Sequence, residues 1–145
     1  MRIKGANRVG RFAIDFEIAN FVDLGLAQRG LLPADQVRRM VIRGWVDPGA
    51  AKLVLPKTVV NELGLALTGP IGVRYADGRR ARRREAEGIY VALLGRHGVF
   101  SAIVEPKRDS ALIGAIVLED LDLLVDCQHQ CLVPRDPSGP IYEIE

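Results

Sequence analysis

No apolar run in this chain is long. Apolar residues come in short stretches broken by Gly, Pro or Asp-Gly, and the longest spans only residues 111–118. A membrane-spanning helix needs about 20 apolar residues, so none is expected. Short stretches with turn residues between them are the signature of strands joined by tight connections. With 48% of residues hydrophobic, the chain has enough apolar material for a core, so wholesale disorder is excluded. The expectation is one all-β domain over residues 1–145 with one or two short helices.

The strands can be placed in order. Residues 12–18 alternate apolar and polar, as a half-buried strand does. Residues 20–36 read as loop, because Gly25, Gly30 and Pro33 interrupt them. Residues 37–46 form a second strand ending at Asp47, and residues 54–56 a third. A short helix follows over residues 56–63, stopped by Gly64. Asp77-Gly78 suits a type I′ hairpin turn, since both residue types tolerate positive φ. A second hairpin joins residues 88–94 to 99–104 through a turn at 95–98. Residues 115–121 read as a helix, and residues 123–126 and 131–134 as a closing hairpin. The core is expected over about 37–134, with residues 1–36 an N-terminal strand and loop and 135–145 an extended tail.

Trp45-Val46-Asp47-Pro48-Gly49-Ala50 puts a carboxylate at the end of an apolar strand, just before a glycine turn. Asp is depleted in strands, and an apolar flank makes its charge costly. Taken alone, Asp-Pro-Gly is an ordinary turn. Its surroundings carry more. Ala50 opens a segment through Leu53-Val54-Leu55-Pro56, a short helix and Leu63-Gly64-Leu65; Tyr75-Ala76-Asp77-Gly78 forms a hairpin tip; Leu112-Ile113-Gly114 precedes a second helix.

Over residues 37–134 this ordered set resembles the retropepsin-like (retroviral-type) aspartic proteases in their bacterial single-domain form. The resemblance implies a closed β barrel with one Asp-x-Gly loop per subunit. It implies Asp47 as the catalytic aspartate and Pro48, Gly49 and Ala50 as its loop. Tyr75, Ala76, Asp77 and Gly78 would form a flap over the substrate, while Leu112, Ile113 and Gly114 would support the loop from behind. Two such carboxylates share one proton, because like charges about 3 Å apart cannot both ionise. A chain with a single triplet must obtain the second from an identical subunit. The expected function is an aspartic endopeptidase working as a homodimer on peptide or protein substrates, without metal or other cofactor. Pro48 departs from the family's Thr or Ser and offers neither hydroxyl nor N–H. A catalytically inactive dimerisation or peptide-binding module is therefore the alternative.

Other features point elsewhere. Arg79, Arg80, Arg82, Arg83 and Arg84 make the densest charge run, read as a solvated hairpin arm balanced by Glu85 and Glu87; binding to nucleic acid or acidic peptide is its functional reading. With a net charge of +2, a nucleic-acid partner is not expected. Cys127-Gln128-His129-Gln130-Cys131 lacks the paired spacing of zinc sites and reads as free thiols, and His97 as an exposed turn residue. Two cysteines and no secretory pattern at Met1-Arg2-Ile3-Lys4-Gly5 lead to a cytoplasmic expectation with no membrane partner.

Overall fold

The computed structural model describes residues 11–145; the expectation for Met1 to Gly5 lies outside them. Among these residues the strands are β1 (Phe12–Asn20), β2 (Arg39–Val46), β3 (Leu53–Pro56), β4 (Leu67–Arg74), β5 (Arg80–Leu93), β6 (Arg96–Glu105), β7 (Ala111–Ile113), β8 (Leu123–Asp126) and β9 (Cys131–Pro134). The helices are α1 (Phe21–Gln28), α2 (Lys57–Glu62) and α3 (Ala115–Asp120), with a 3-10 turn at Ala34–Gln36. The protein is thus predominantly β, with three short α-helices where one or two were expected.

Seven strands form one sheet in the order β1-β2-β7-β3-β6-β5-β4, and a further β1–β5 pairing closes six of them into a barrel. β5 makes closure possible. Its first part pairs with β4 and its last residues with β1, and its register against β6 shifts between Ala86 and Ile89. Gly88 lies in that irregularity at φ +71°, a conformation that costs glycine little. β4, left at the sheet's edge, carries Gly69, Pro70 and Gly72, residues that blunt pairing with other chains.

The core follows strand alternation. Phe12, Ile14, Phe16 and Ile18 of β1 meet Leu53 and Leu55 of β3, Ile89 and Val91 of β5, and Ala102 and Val104 of β6 inside the barrel. Each large side chain buried in this way contributes about 1.5–3 kcal/mol. β1 is therefore a wall of the core, which begins well before residue 37. Gly44 makes room for it, since a Cβ there would lie 2.7 Å from the Phe16 ring.

Three local expectations are corrected. Residues 21–28 are helical rather than loop: Asn20 caps the Asp23 amide, and Gly30 at φ +72° follows the helix end. The cap and the burial of Asp23 outweigh the low helix propensity of Gly25. The β5–β6 turn is Leu94-Gly95, both at positive φ (52° and 75°), as in a two-residue type I′ turn. Arg96 and His97 accordingly lie in β6, although His97 is exposed as expected. At the first hairpin only Gly78 has positive φ, and its N–H bonds to Tyr75 O, so the tip is a wider turn than type I′. The closing hairpin β8–β9 forms between the expected segments, with Leu123 opposite Pro134.

Candidate functional site

β2 delivers Asp47 to the barrel's outer face. The Asp47 N–H bonds to Ile113 O at 3.0 Å, and its carbonyl accepts from Ala50 N at 3.0 Å. Pro48 and Gly49 are the exposed middle of that turn. Proline's fixed φ suits the second position of such a turn. The carboxylate Oδ1 accepts the Gly49 N–H at 3.0 Å. Behind the loop, Ala115 N bonds to Ala50 O and Ile116 N to Ala51 O. Gly114 is what lets these backbones approach: a Cβ there would stand 2.4 Å from Lys52 O and 2.7 Å from Ala50 O. Asp47, Gly49, Ala50, Ile113 and Gly114 are thus brought together, with Leu112 one residue away on the same outer face as Trp45.

The sheet register shows what surrounds Asp47. One transverse row runs Ala13, Trp45, Leu112, Val54, Ile103, Glu85, Thr68 across all seven strands. Side chains in such a row share a face. This one lies opposite the core and is mostly half-buried, with an apolar centre. Asp47 stands two residues beyond Trp45, on the same face. On the next row, Lys52 Nζ reaches Ser101 Oγ and Glu85 Oε2, both at 2.8 Å. Arg11 flanks Asp47 on the other side, its Nε 3.8 Å from Oδ2, with the two side chains 22% and 24% exposed. The guanidinium also sits 5.3 Å from the Trp45 ring centroid. Arg11 Nε is the buried side-chain nitrogen without a hydrogen-bond partner among the described residues.

The hairpin tip is held at the far end of this face. Tyr75 donates to Glu105 Oε2 at 2.7 Å, and Arg83 pairs with the other oxygen of Glu105. Arg79 and Arg83 lie over the Tyr75 ring at 4.7 and 5.9 Å. Burial and then the Glu105 bond push the Tyr75 hydroxyl above its ordinary value, so it stays a donor. Asp77 accepts from Arg79, which holds its carboxyl below the usual range. Among the described residues no hydrogen bond or ion pair joins Tyr75, Ala76, Asp77 or Gly78 to the Asp47 loop. From Ser101, beside the Asp47 end, to Glu105 is roughly 13 Å along β6.

Sequence reasoning missed Arg11, Trp45, Lys52, Val54, Glu85, Ile103 and Glu105. The shared parity of Trp45 and Asp47 was visible in β2, but cross-strand neighbours depend on register, which one chain's alternation does not reveal. Cys127 and Cys131 are free thiols, and His129 bonds to Asp126 at 2.7 Å. No group of three or more His, Cys, Asp or Glu side chains is placed to hold a metal ion among the described residues. Nor is any helix there long and apolar enough to cross a membrane. No protein-family model matches this chain, and no curated protein sequence matches it.

Proposed function

We propose that this barrel is of the retropepsin type and that the protein is an aspartic endopeptidase, with Asp47 of two identical subunits forming the site. The observation that carries this reading is the state of the Asp47 carboxylate. It accepts one hydrogen bond, from Gly49, keeps Arg11 at 3.8 Å, and stands one row away from a half-buried strip with an apolar centre. About 13 Å along β6, four residues of extended backbone, separates Ser101 beside Lys52 from Glu105 under the hairpin tip, so a short extended peptide spans the two ends of the face. In the dyad, the ionised carboxylate takes a proton from water while the water oxygen bonds to the peptide carbonyl carbon. The protonated partner gives its proton to the carbonyl oxygen. The C–N bond of the resulting diol then breaks as the amine nitrogen takes the proton held by the first carboxyl, while a diol hydroxyl returns a proton to the second. Gly49 orients the carboxylate, and Gly114 lets its loop sit against β7.

Pro48 favours a second reading, a dimerising or peptide-binding module without activity, because it brings no hydroxyl to the loop. One experiment separates the two. Wild type and Asp47→Asn are incubated with a separate protein substrate from acid to neutral pH, and sedimentation is run alongside. The separate substrate matters, because Asp47-Pro48 and Asp136-Pro137 are acid-labile bonds in the protein itself. The peptidase reading expects a dimer and at least a 1,000-fold loss of cleavage in Asp47→Asn, roughly the scale seen when an essential catalytic group is removed. Cleavage that survives the substitution, or a strict monomer that cleaves, defeats it. A dimer that never cleaves leaves the second reading.

A further inference from the structure

The arginine run of the hairpin divides into two faces that the sequence alone does not separate. Arg83 and Glu85 lie on the Asp47 face, where Glu105 and Lys52 neutralise them. Arg80, Arg82 and Arg84 alternate with these onto the opposite face, across from Arg74, Gly72 and Pro70 of β4. None of Arg74, Arg80, Arg82, Arg84 or Lys57 makes an ion pair among the described residues. The expected balance by Glu85 is therefore absent on this face, because Glu85 is committed to Lys52 on the other.

This face is also hollow. Between the hairpin arm and α2 lies a pocket of about 490 Å³, with Val60, Leu67, Pro70 and Val104 among its lining residues and Lys57, Arg82 and Arg84 beside them; Arg83 also borders it, with its guanidinium paired to Glu105. Arg84 is partly fixed by its bond to Thr68 O at 2.7 Å. An apolar hollow ringed by unpaired cations fits a ligand with an apolar side chain between carboxylates. Long Arg and Lys side chains reach such carboxylates from either side, and guanidinium groups bind them bidentately. A nucleic-acid strand uses the cations but leaves the hollow empty, and no aromatic side chain lines it for base stacking.

We propose that the back face of the β4–β5 hairpin, with the pocket against α2, is a docking site for an acidic peptide segment carrying an aliphatic anchor residue. The site is separate from Asp47 and stands whether or not the peptidase reading does.

The test uses the full chain carrying Asp47→Asn, so that no peptide is cut, and reads the anisotropy of labelled peptides. The probes are Glu-Glu-Leu-Glu-Glu, Glu-Glu-Ser-Glu-Glu, Lys-Lys-Leu-Lys-Lys and a single-stranded oligonucleotide. The leucine-centred acidic peptide is expected to bind at least 10-fold tighter than the serine-centred and basic ones. Arg82→Glu with Arg84→Glu should weaken it at least 10-fold, and Arg43→Gln, on β2 and outside the pocket lining, less than 2-fold. Circular dichroism checks that the double variant folds; if it does not, Arg82→Gln with Lys57→Gln replaces it and should weaken binding at least 3-fold. Equal binding of the two acidic peptides, a folded double variant that binds normally, or preference for the oligonucleotide each overturns the proposal.

Discussion

Asp23 and Asp47 both stand near an arginine, but their surroundings differ. Asp23, in the first turn of α1, accepts three bonds from Arg38: from its backbone N–H at 3.0 Å, Nε at 2.8 Å and NH2 at 3.0 Å. Its side chain is 7% exposed, and Asn20, which caps the helix at the Asp23 amide, also donates to Leu63 O. Asp47 is held the other way round. Its backbone is fixed to Ile113 and Ala50, while its carboxylate accepts only Gly49 N–H and keeps Arg11 at 3.8 Å. Asp122 belongs with Asp23, taking bonds from Arg135 and from Ile141 N–H. A carboxylate whose lone pairs are filled by the protein stabilises the fold. One that accepts a single hydrogen bond keeps lone pairs for something else.

The largest effect should come from disturbing the backbone that fixes Asp47. Gly114→Ala would put a Cβ 2.4 Å from Lys52 O, a backbone atom that cannot swing aside. Overpacking of this kind costs about 3 kcal/mol. Urea unfolding should show that loss, and the Asp47–Ala50 turn should move with it. A Gly114→Ala variant as stable as wild type would mean that the loop is not braced from behind.

The contrast between the two aspartates also marks how far a sequence can be read. A strand with alternation, such as β1, was legible because burial on one face imposes period two, and the β8–β9 hairpin was legible as two short apolar runs around a polar turn. The Asp47 loop was legible because a turn triplet stood at the end of an apolar strand. Helix α1 was not, because its strongest support, the Asp23–Arg38 clamp, spans 15 residues of sequence while the local signal, Gly25, points to loop. The apolar strip beside Asp47 was not legible either. It takes one residue from each strand, and only the register, including the parallel β2–β7 and β3–β6 pairs, aligns them.

The next effect tests the clamp itself. Asp23→Asn removes charge-assisted bonds, but Arg38 is 49% exposed and regains water, so the loss should be about 2 kcal/mol. Asp47→Asn should change stability by less than about 0.5 kcal/mol. The Arg38 side-chain bond holds the Asp23 carboxyl below its ordinary 3.8 despite desolvation. A depressed folded value means that its contribution is complete above the unfolded value and disappears as pH falls through the folded one. The stability gap between wild type and Asp23→Asn should therefore be constant above about pH 5 and close in acid below 3.8. A gap that widens in acid would reverse the sign and dissolve the contrast.

A smaller loss than at Asp23 is expected at the hairpin tip, where the Tyr75 side chain ties the turn to Glu105 of β6. Tyr75→Phe removes the donor to Glu105 but leaves Glu105 paired with Arg83, so no carboxylate is orphaned. Loss of one such bond should cost about 0.5–1 kcal/mol, less than the clamp at Asp23. The ring remains under Arg79 and Arg83, which preserves part of the anchoring. The change should therefore be local. Amide exchange at Gly78, whose N–H bonds to Tyr75 O, should quicken about 2- to 5-fold, following from that free-energy loss. Exchange in β1 and at Asp47 N–H should stay at the wild-type rate. If the Asp47 amide quickens with the tip, the two ends of the face are coupled through the sheet, and the loop is not braced by β7 alone.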